Sequence, residues 1–192
     1  MNELLTKRLR LRPIEDRDRA PFVAMNLDPE VMHFFAGLFP PELSDQHLAR
    51  YRMQLDRDGF SFLTLEHRHT GEYLGIVGMQ VMHTVVPNLP QPAVEIGWRL
   101  TRHAHGHGYA TEAAQAILHQ AFRTHNLLEV VAIIATGNTA SRRVAEKLGM
   151  TQRSELIFDH PLYTEGQPHR QHVLYSLSVS DDERETQCST PS

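Results

Sequence analysis

From Lys7 to Pro13 the chain alternates charge and leucine, with Leu9 and Leu11 set between Arg8, Arg10 and Arg12. A period of two predicts a half-buried strand, leucines inward and arginines in solvent. Asp16 opens a short helical stretch that ends near Asn26, and Asp28-Pro29 breaks it. Ser44 is a candidate cap for a second helix running to about Asp56, with Asp45 favouring its first turn. Asp58-Gly59 signals a turn. Phe60 to Glu66 and Tyr73 to Met82 are strand-like, separated by a polar turn containing Gly71, and should pair as a hairpin. Pro87, Pro90 and Pro92 mark His83 to Pro92 as a loop, after which Ala93 to Leu100 is strand-like.

Tyr109 to about His125 should be helical, because Ala114, Ile117, Leu118, Ala121 and Phe122 fall on one stripe. Leu128 to Ala135 is an apolar, β-rich run that predicts a buried strand. Asn138 to Leu148 predicts a short helix, with Asn138 as cap, Lys147 in the last turn and Gly149 as the stop. Thr151 to Phe158 and His172 to Val179 are strand-like. The order of elements predicts one α/β domain with a mixed sheet. That domain is expected over residues 7–179, and the polar residues 181–192 are expected to be a disordered tail.

Composition narrows the class. A chain of 192 residues with 41% hydrophobic and 22% charged residues suits one globular domain. Lys plus Arg is 19 and Asp plus Glu is 23, a net charge of −4. That balance argues against general nucleic-acid binding, which needs many cationic contacts. Cys188 is the single cysteine, so no internal disulfide forms. Residues 1–13 lack an apolar core, and no run approaches the ~18 apolar residues of a spanning helix. The expectation is a cytoplasmic protein with no membrane or direct nucleic-acid partner.

The strongest local signal is His105-Gly106-His107-Gly108-Tyr109-Ala110, between a strand and a helix. Glycines let backbone N–H groups turn toward one point, and a helix N-terminus adds partial positive charge. Together they suit an anion such as a pyrophosphate. The competing account is a tight strand-to-helix turn. A third glycine of the dinucleotide kind and a Gly-Lys-Ser/Thr ending are both absent. His103, His105 and His107 also read as His-x-His-x-His, but a zinc site needs converging side chains, and around a pyrophosphate these should diverge. No metal site is expected.

Four stretches, in order along the chain, carry a family likeness. They are Thr6 to Pro13 (TKRLRLRP), Glu95 to Leu100 (EIGWRL), Gly106 to Ala113 (GHGYATEA), and Asn138 to Ser141 followed by Val144 to Met150 (NTAS, VAEKLGM). Together they resemble the GNAT family of acetyl-CoA-dependent N-acetyltransferases, and within it the Rim type, which acetylates N-termini of ribosomal proteins. The resemblance implies an α/β (α+β) fold: a single GNAT-like domain with a central, mostly antiparallel mixed sheet flanked by helices. It implies acetyl-CoA as cosubstrate. The backbone of Trp98, Arg99 and Leu100 would hold the pantetheine arm. The N–H groups of His105, Gly106, His107, Gly108, Tyr109 and Ala110 would receive the pyrophosphate. His103 stands where the wider family has Gln or Arg.

Asn138 would help orient the cofactor, or serve only as an N-cap. Many members place a tyrosine acid seven residues after that asparagine; here Ala145 occupies the place. The resemblance to the Rim branch gives the role to Ser141, which would donate to the departing thiolate. Ser141 shares the inward face with Val144, Ala145 and Leu148, and its hydroxyl could instead bond the preceding turn. Glu95 faces away from Val94, Ile96 and Trp98, where it could accept the amine proton through water or sit in a salt bridge. His83 and His33 are weaker bases.

The reading is direct transfer in a ternary complex, catalysed mostly by positioning. An α-amine is roughly a tenth neutral at pH 7, far more than a lysine. A protein N-terminal α-amine is therefore the expected acceptor, with a small-molecule amine or a non-catalytic acetyl-CoA-binding module as alternatives. The negative net charge mildly favours a cationic acceptor, and a homodimer is compatible with the sequence.

Overall fold

A computed structural model describes residues 3–179. The tail 181–192, with Cys188, lies outside the described residues. Eight strands form one sheet: β1 (Leu4–Leu5), β2 (Leu9–Arg12), β3 (Phe62–His67), β4 (Tyr73–Val81), β5 (Val94–Leu100), β6 (Glu129–Ala135), β7 (Thr151–Asp159) and β8 (Gln171–Ser178). Four α-helices are α1 (Arg19–Leu27), α2 (Pro41–Asp58), α3 (Tyr109–Arg123) and α4 (Thr139–Lys147). The spatial order is β1-β2-β3-β4-β5-β6-β8-β7, so the last two strands exchange places. Every neighbour pair is antiparallel except β5 and β6, which α3 joins by a crossover.

The two faces of the central strands are covered by different helices. Leu9, Leu11, Leu65, Val77 and Ile96 pack with Ala113, Ala114, Ile117 and Ala121 of α3. The alanines of that stripe let α3 lie close to the strands. On the opposite face Phe22, Met25, Leu48 and Tyr51 from α1 and α2 pack with Ile76, Phe62 and Tyr73. The loop after β4 supplies Met82, Val86 and Leu89 to a third cluster over β6–β8. Gly78 shows how tightly β3 and β4 approach: an added Cβ would overlap the Ser61 carbonyl and the Phe62 Cα.

Two local readings need correction. Ser44 does not cap α2. The helix starts a turn earlier at Pro41, where proline at the first position forfeits only an unneeded N–H. Ser44 is instead fully buried, accepting from Asn26 Nδ2 at 3.0 Å and donating to the Phe39 carbonyl at 3.1 Å.

The second correction is Arg12, which is not in solvent but only 2% exposed. Its guanidinium bonds both oxygens of Asp18 at 2.7 Å and Glu66 at 2.5 Å, while Thr64 Oγ1 donates to Asp18 at 2.8 Å. This network joins β2, β3 and the turn that launches α1. Burial alone would raise the Asp18 carboxyl; hydrogen bonds from Arg12, the Glu15 N–H and Thr64 outweigh it and hold it low.

Removing one partner of a buried ion network strands the other charges. Arg12→Ala should therefore cost about 3–5 kcal/mol in urea denaturation. Asp18 is lowered in the folded state, so its stabilisation is present above about pH 4 and lost as pH falls through the folded pKa. The variant should lack that acid-side loss, which denaturation from pH 3 to 7 would measure.

Candidate active site

The site begins where two strands part. Along one edge β5 pairs with β4 from Val81↔Val94 to Gly75↔Leu100. Along the other it meets β6 only at Glu95↔Val131. Beyond that point the backbone of Gly97, Trp98, Arg99 and Leu100 has no strand partner on the β6 side. Unpaired peptide groups on an open edge are ready to bond an extended ligand. The edge leads through the short turn Arg102–Ala104 into the glycine loop.

Gly106 and Gly108 both lie in the left-handed region, at φ 80° and 77°. Gly108 caps α3, and the Glu112 N–H is bonded to the Gly108 carbonyl. The earlier N–H groups of the helix thus remain available at its positive end. A groove of about 470 Å³ opens there, lined by Lys7, Gly108, Thr111, Glu112, Gln115 and Lys147. Two lysines, a hydroxyl and a helix N-terminus suit a phosphorylated ligand.

The loop is braced from the other end of the chain. Arg8 Nη1 donates to the His107 carbonyl at 3.0 Å, its Nε bonds Glu112 at 2.7 Å, and its guanidinium covers the Tyr109 ring at 4.7 Å. Thr6 Oγ1 and the Arg8 N–H also donate to Glu112, at 2.6 and 2.9 Å. Burial works to raise the Glu112 carboxyl, but the Thr6 and Arg8 contacts prevail and keep it ionised. Arg8 offsets that charge, which would otherwise oppose an anion at the groove. These bracing residues sit inside motifs quoted from the sequence, yet nothing in spacing reveals that Thr6 and Arg8 meet Glu112.

The three histidine rings go separate ways. His103 faces Glu72 at 3.1 Å, His105 Nε2 donates to the Leu100 carbonyl at 3.0 Å, and His107 stacks on Tyr109 at 5.5 Å. No group of three or more His, Cys, Asp or Glu side chains placed for a metal exists among the described residues.

Opposite β5 stands the start of α4. Asn138 caps it, its Oδ1 accepting from the Ser141 N–H at 3.0 Å. Ser141 Oγ in turn accepts from Trp98 Nε1 at 3.3 Å. The indole holds the hydroxyl oxygen, which leaves the hydroxyl hydrogen free to point elsewhere. Trp98, Ser141 and Asn138 are thus brought together at the mouth of the split.

Glu95 is not with them. It leaves the other face of β5, where Gln80 Nε2 donates to it at 2.5 Å. Burial pushes its carboxyl above the usual range, against the pull of Gln80 and Arg50. Arg99 points to the same face, its guanidinium 4.2 Å from the Phe35 ring. His83 bonds Gln54 at 3.0 Å. His33 packs on Phe34 and on His169, at 4.7 and 4.8 Å. Tyr163 donates to the Phe34 carbonyl at 2.6 Å, so the α1–α2 connection is tied to the β7–β8 connection.

Known proteins share this fold. Residues 8–151 match the Acetyltransferase (GNAT) domain. YkkB of Bacillus subtilis is 37% identical over 149 residues, covering 77% of this chain and 84% of that protein. An acetyltransferase from Agrobacterium tumefaciens superposes with a TM-score of 0.75 at 26% identity, over 93% of this chain and 95% of that one. RimJ of Mycobacterium smegmatis, solved with CoA-disulfide, shares the fold with a TM-score of 0.69 at 20% identity, over 94% and 88%. The open edge of β5, the glycine loop and the lysine-lined groove fit acetyl-CoA, and the chain belongs to the GNAT family of acetyl-CoA-dependent N-acetyltransferases.

Proposed function

We propose that the chain acetylates the α-amine of a protein N-terminus, by direct transfer within a ternary complex. The observation that carries this reading is one of alignment. The open edge of β5 carries Trp98 beside Ser141 and leads through Arg102–Ala104 into the glycine loop, whose Gly108 lines the lysine-bearing groove. When bound, acetyl-CoA supplies an activated acetyl thioester. His105 to Ala110 offer backbone N–H groups to its phosphates, and Lys7 and Lys147 add charge at the groove. Trp98, Arg99 and Leu100 offer main-chain groups to the pantetheine arm, and a β5 N–H polarises the carbonyl. Asn138 orients α4 by capping it.

The proton groups lie on opposite faces of β5. Ser141, anchored through its oxygen by Trp98, donates a hydrogen bond to the leaving sulfur. Glu95, on the acceptor face, takes the amine proton, directly or through water. A single enclosed carboxylate is a weak base, which suits an α-amine that is already partly neutral. The Rim-type motifs support the same acceptor, and the RimJ neighbour shares the fold. A small-molecule amine is the alternative.

The decisive experiment is mass spectrometry of N-terminal peptides and small amines after incubation with acetyl-CoA. Acetylation at peptide α-amines in preference to lysine side chains and polyamines is the expected result, and transfer to small amines alone would overturn the N-terminal reading. Gly108→Val forces a β-branched residue into a left-handed conformation at the phosphate loop. It should weaken acetyl-CoA binding at least ~10-fold by calorimetry, while circular dichroism stays native. Ser141→Ala should lower kcat about 10–100-fold with a smaller change in acetyl-CoA Kd. For Glu95→Gln the loss should be widest between the raised carboxyl pKa and the α-amine pKa of about 8, and should narrow above it. Rate profiles from pH 5.5 to 9 would show that shape.

A further inference from the structure

The acceptor face of β5 holds a cation without a counter-charge. Arg99 lies enclosed between α1, the connection after it and α2. Phe35 and Phe39 flank its guanidinium at 4.2 and 5.0 Å. Nη1 donates to Asn26 Oδ1 at 2.6 Å, and this is the one hydrogen bond the side chain makes among the described residues. Nε is buried with no partner. Asn26 is itself fully buried and held by Ser44, so the guanidinium is fixed in place rather than loosely stored.

The contrast with Arg12 sets the expectation. That buried arginine is met by both Asp18 and Glu66. No described carboxylate forms an ion pair with Arg99. Arg99 is part-buried rather than sealed, and a guanidinium held there with its Nε unpartnered is stabilised by an anion that reaches it. Burial works against its charged form.

The surroundings add positive charge rather than cancel it. Arg50 of α2 has a buried Nε without a partner, bonds His47 Nδ1 at 3.3 Å, and lies over the Tyr51 ring at 5.4 Å. His47 is driven down to about 4 by burial and by the charges of Arg50 and Arg99, so it stays neutral and adds no charge of its own. Tyr73 OH is buried and unpartnered, and burial keeps it protonated. Glu95 is the acidic group on this face of β5, and it is committed to Gln80. Arg99 thus has no ion-pair partner among the described residues, while Glu95 feels Arg50 as a field without an ion pair.

Arginine with a free Nε edge offers the planar fork that a carboxylate matches. Glu95 and Arg99 are four residues apart on an extended strand, a separation of about 13 Å. Between them Gly97 leaves room for Phe62, whose ring an added Cβ would approach to 3.0 Å. An extended peptide advances about 3.3 Å per residue. With its amine near Glu95, a side chain one or two residues on, at the second or third position, reaches toward Arg99, the remaining distance being spanned by the two side chains.

We propose that Arg99, assisted by Arg50, is a specificity site for a carboxylate on the acceptor, borne by an acidic side chain at the second or third position of the N-terminal peptide. This rests on the N-terminal reading given above and deepens it. It also reverses the cationic acceptor suggested by the net charge of −4, because the local field at the acceptor face is positive although the whole chain is acidic.

The test compares kcat/KM for paired peptides that differ only by Glu or Gln at positions 2 and 3. Wild type should prefer the acidic peptide at least ten-fold, mainly through KM. In Arg99→Gln the acidic-to-amide ratio should fall toward one, and Arg99→Lys should restore part of it. The ratio is taken within each protein, so a loss of folded or cofactor-loaded enzyme cancels. Equal rates for the two peptides in wild type, or a ratio unmoved by Arg99→Gln, would overturn the proposal. If neither peptide is acetylated, the N-terminal reading fails separately, and calorimetry of the same peptides decides the site. Acidic-peptide binding weakened at least ten-fold by Arg99→Gln would uphold it; no binding to wild type, or equal binding to both proteins, would overturn it.

Discussion

The structure depends on a place where a sheet stops pairing. β5 and β6 meet at Glu95 and Val131 and then separate, although both continue for several residues. An interior strand with unsatisfied peptide groups is costly in isolation. Here β5 is held by its full-length pairing to β4 and by α3 packed across its face, so the open edge persists instead of closing. The candidate site is arranged around that gap. The glycine loop lies at its wide end, α4 presents Ser141 across it, and Glu95 marks its closed end from the other side.

The parting also separates two kinds of chemistry by the thickness of one strand. Alternation puts Trp98 on the α3–α4 side with Ser141, and Glu95 and Arg99 on the α1–α2 side. In the proposed mechanism, proton donation to the leaving group and proton removal from the nucleophile thus occupy different environments. An indole contact holds the Ser141 hydroxyl on one side, and burial raises the Glu95 carboxyl beside Gln80 on the other.

Much of this was legible in the sequence because it is local. Period-two alternation located the strands, and the Asn138 cap and the glycine loop announced their helices. The opposite facing of Glu95 and Trp98 also follows from alternation alone. What escaped was whatever depends on partners far along the chain. Arg12 reads like its half-buried neighbours Arg8 and Arg10 until Glu66, 54 residues away, is seen beside it. The brace between Arg8 and Glu112 spans 104 residues, and the Trp98–Ser141 contact spans 43. Ser44 misled for a different reason. A hydroxyl near a helix start is a common cap, but Pro40-Pro41 had already fixed the start one turn earlier.

The bond from Tyr163 to the Phe34 carbonyl, with His169 wedged against Phe34, joins two loops that come from opposite ends of the chain. Each loop by itself is a surface connection of the kind that drifts freely between relatives. Joined, they are a matched pair. A chimera that imports only one of them from a relative inherits half of a lock, whereas a transplant of both carries the joined pair over intact.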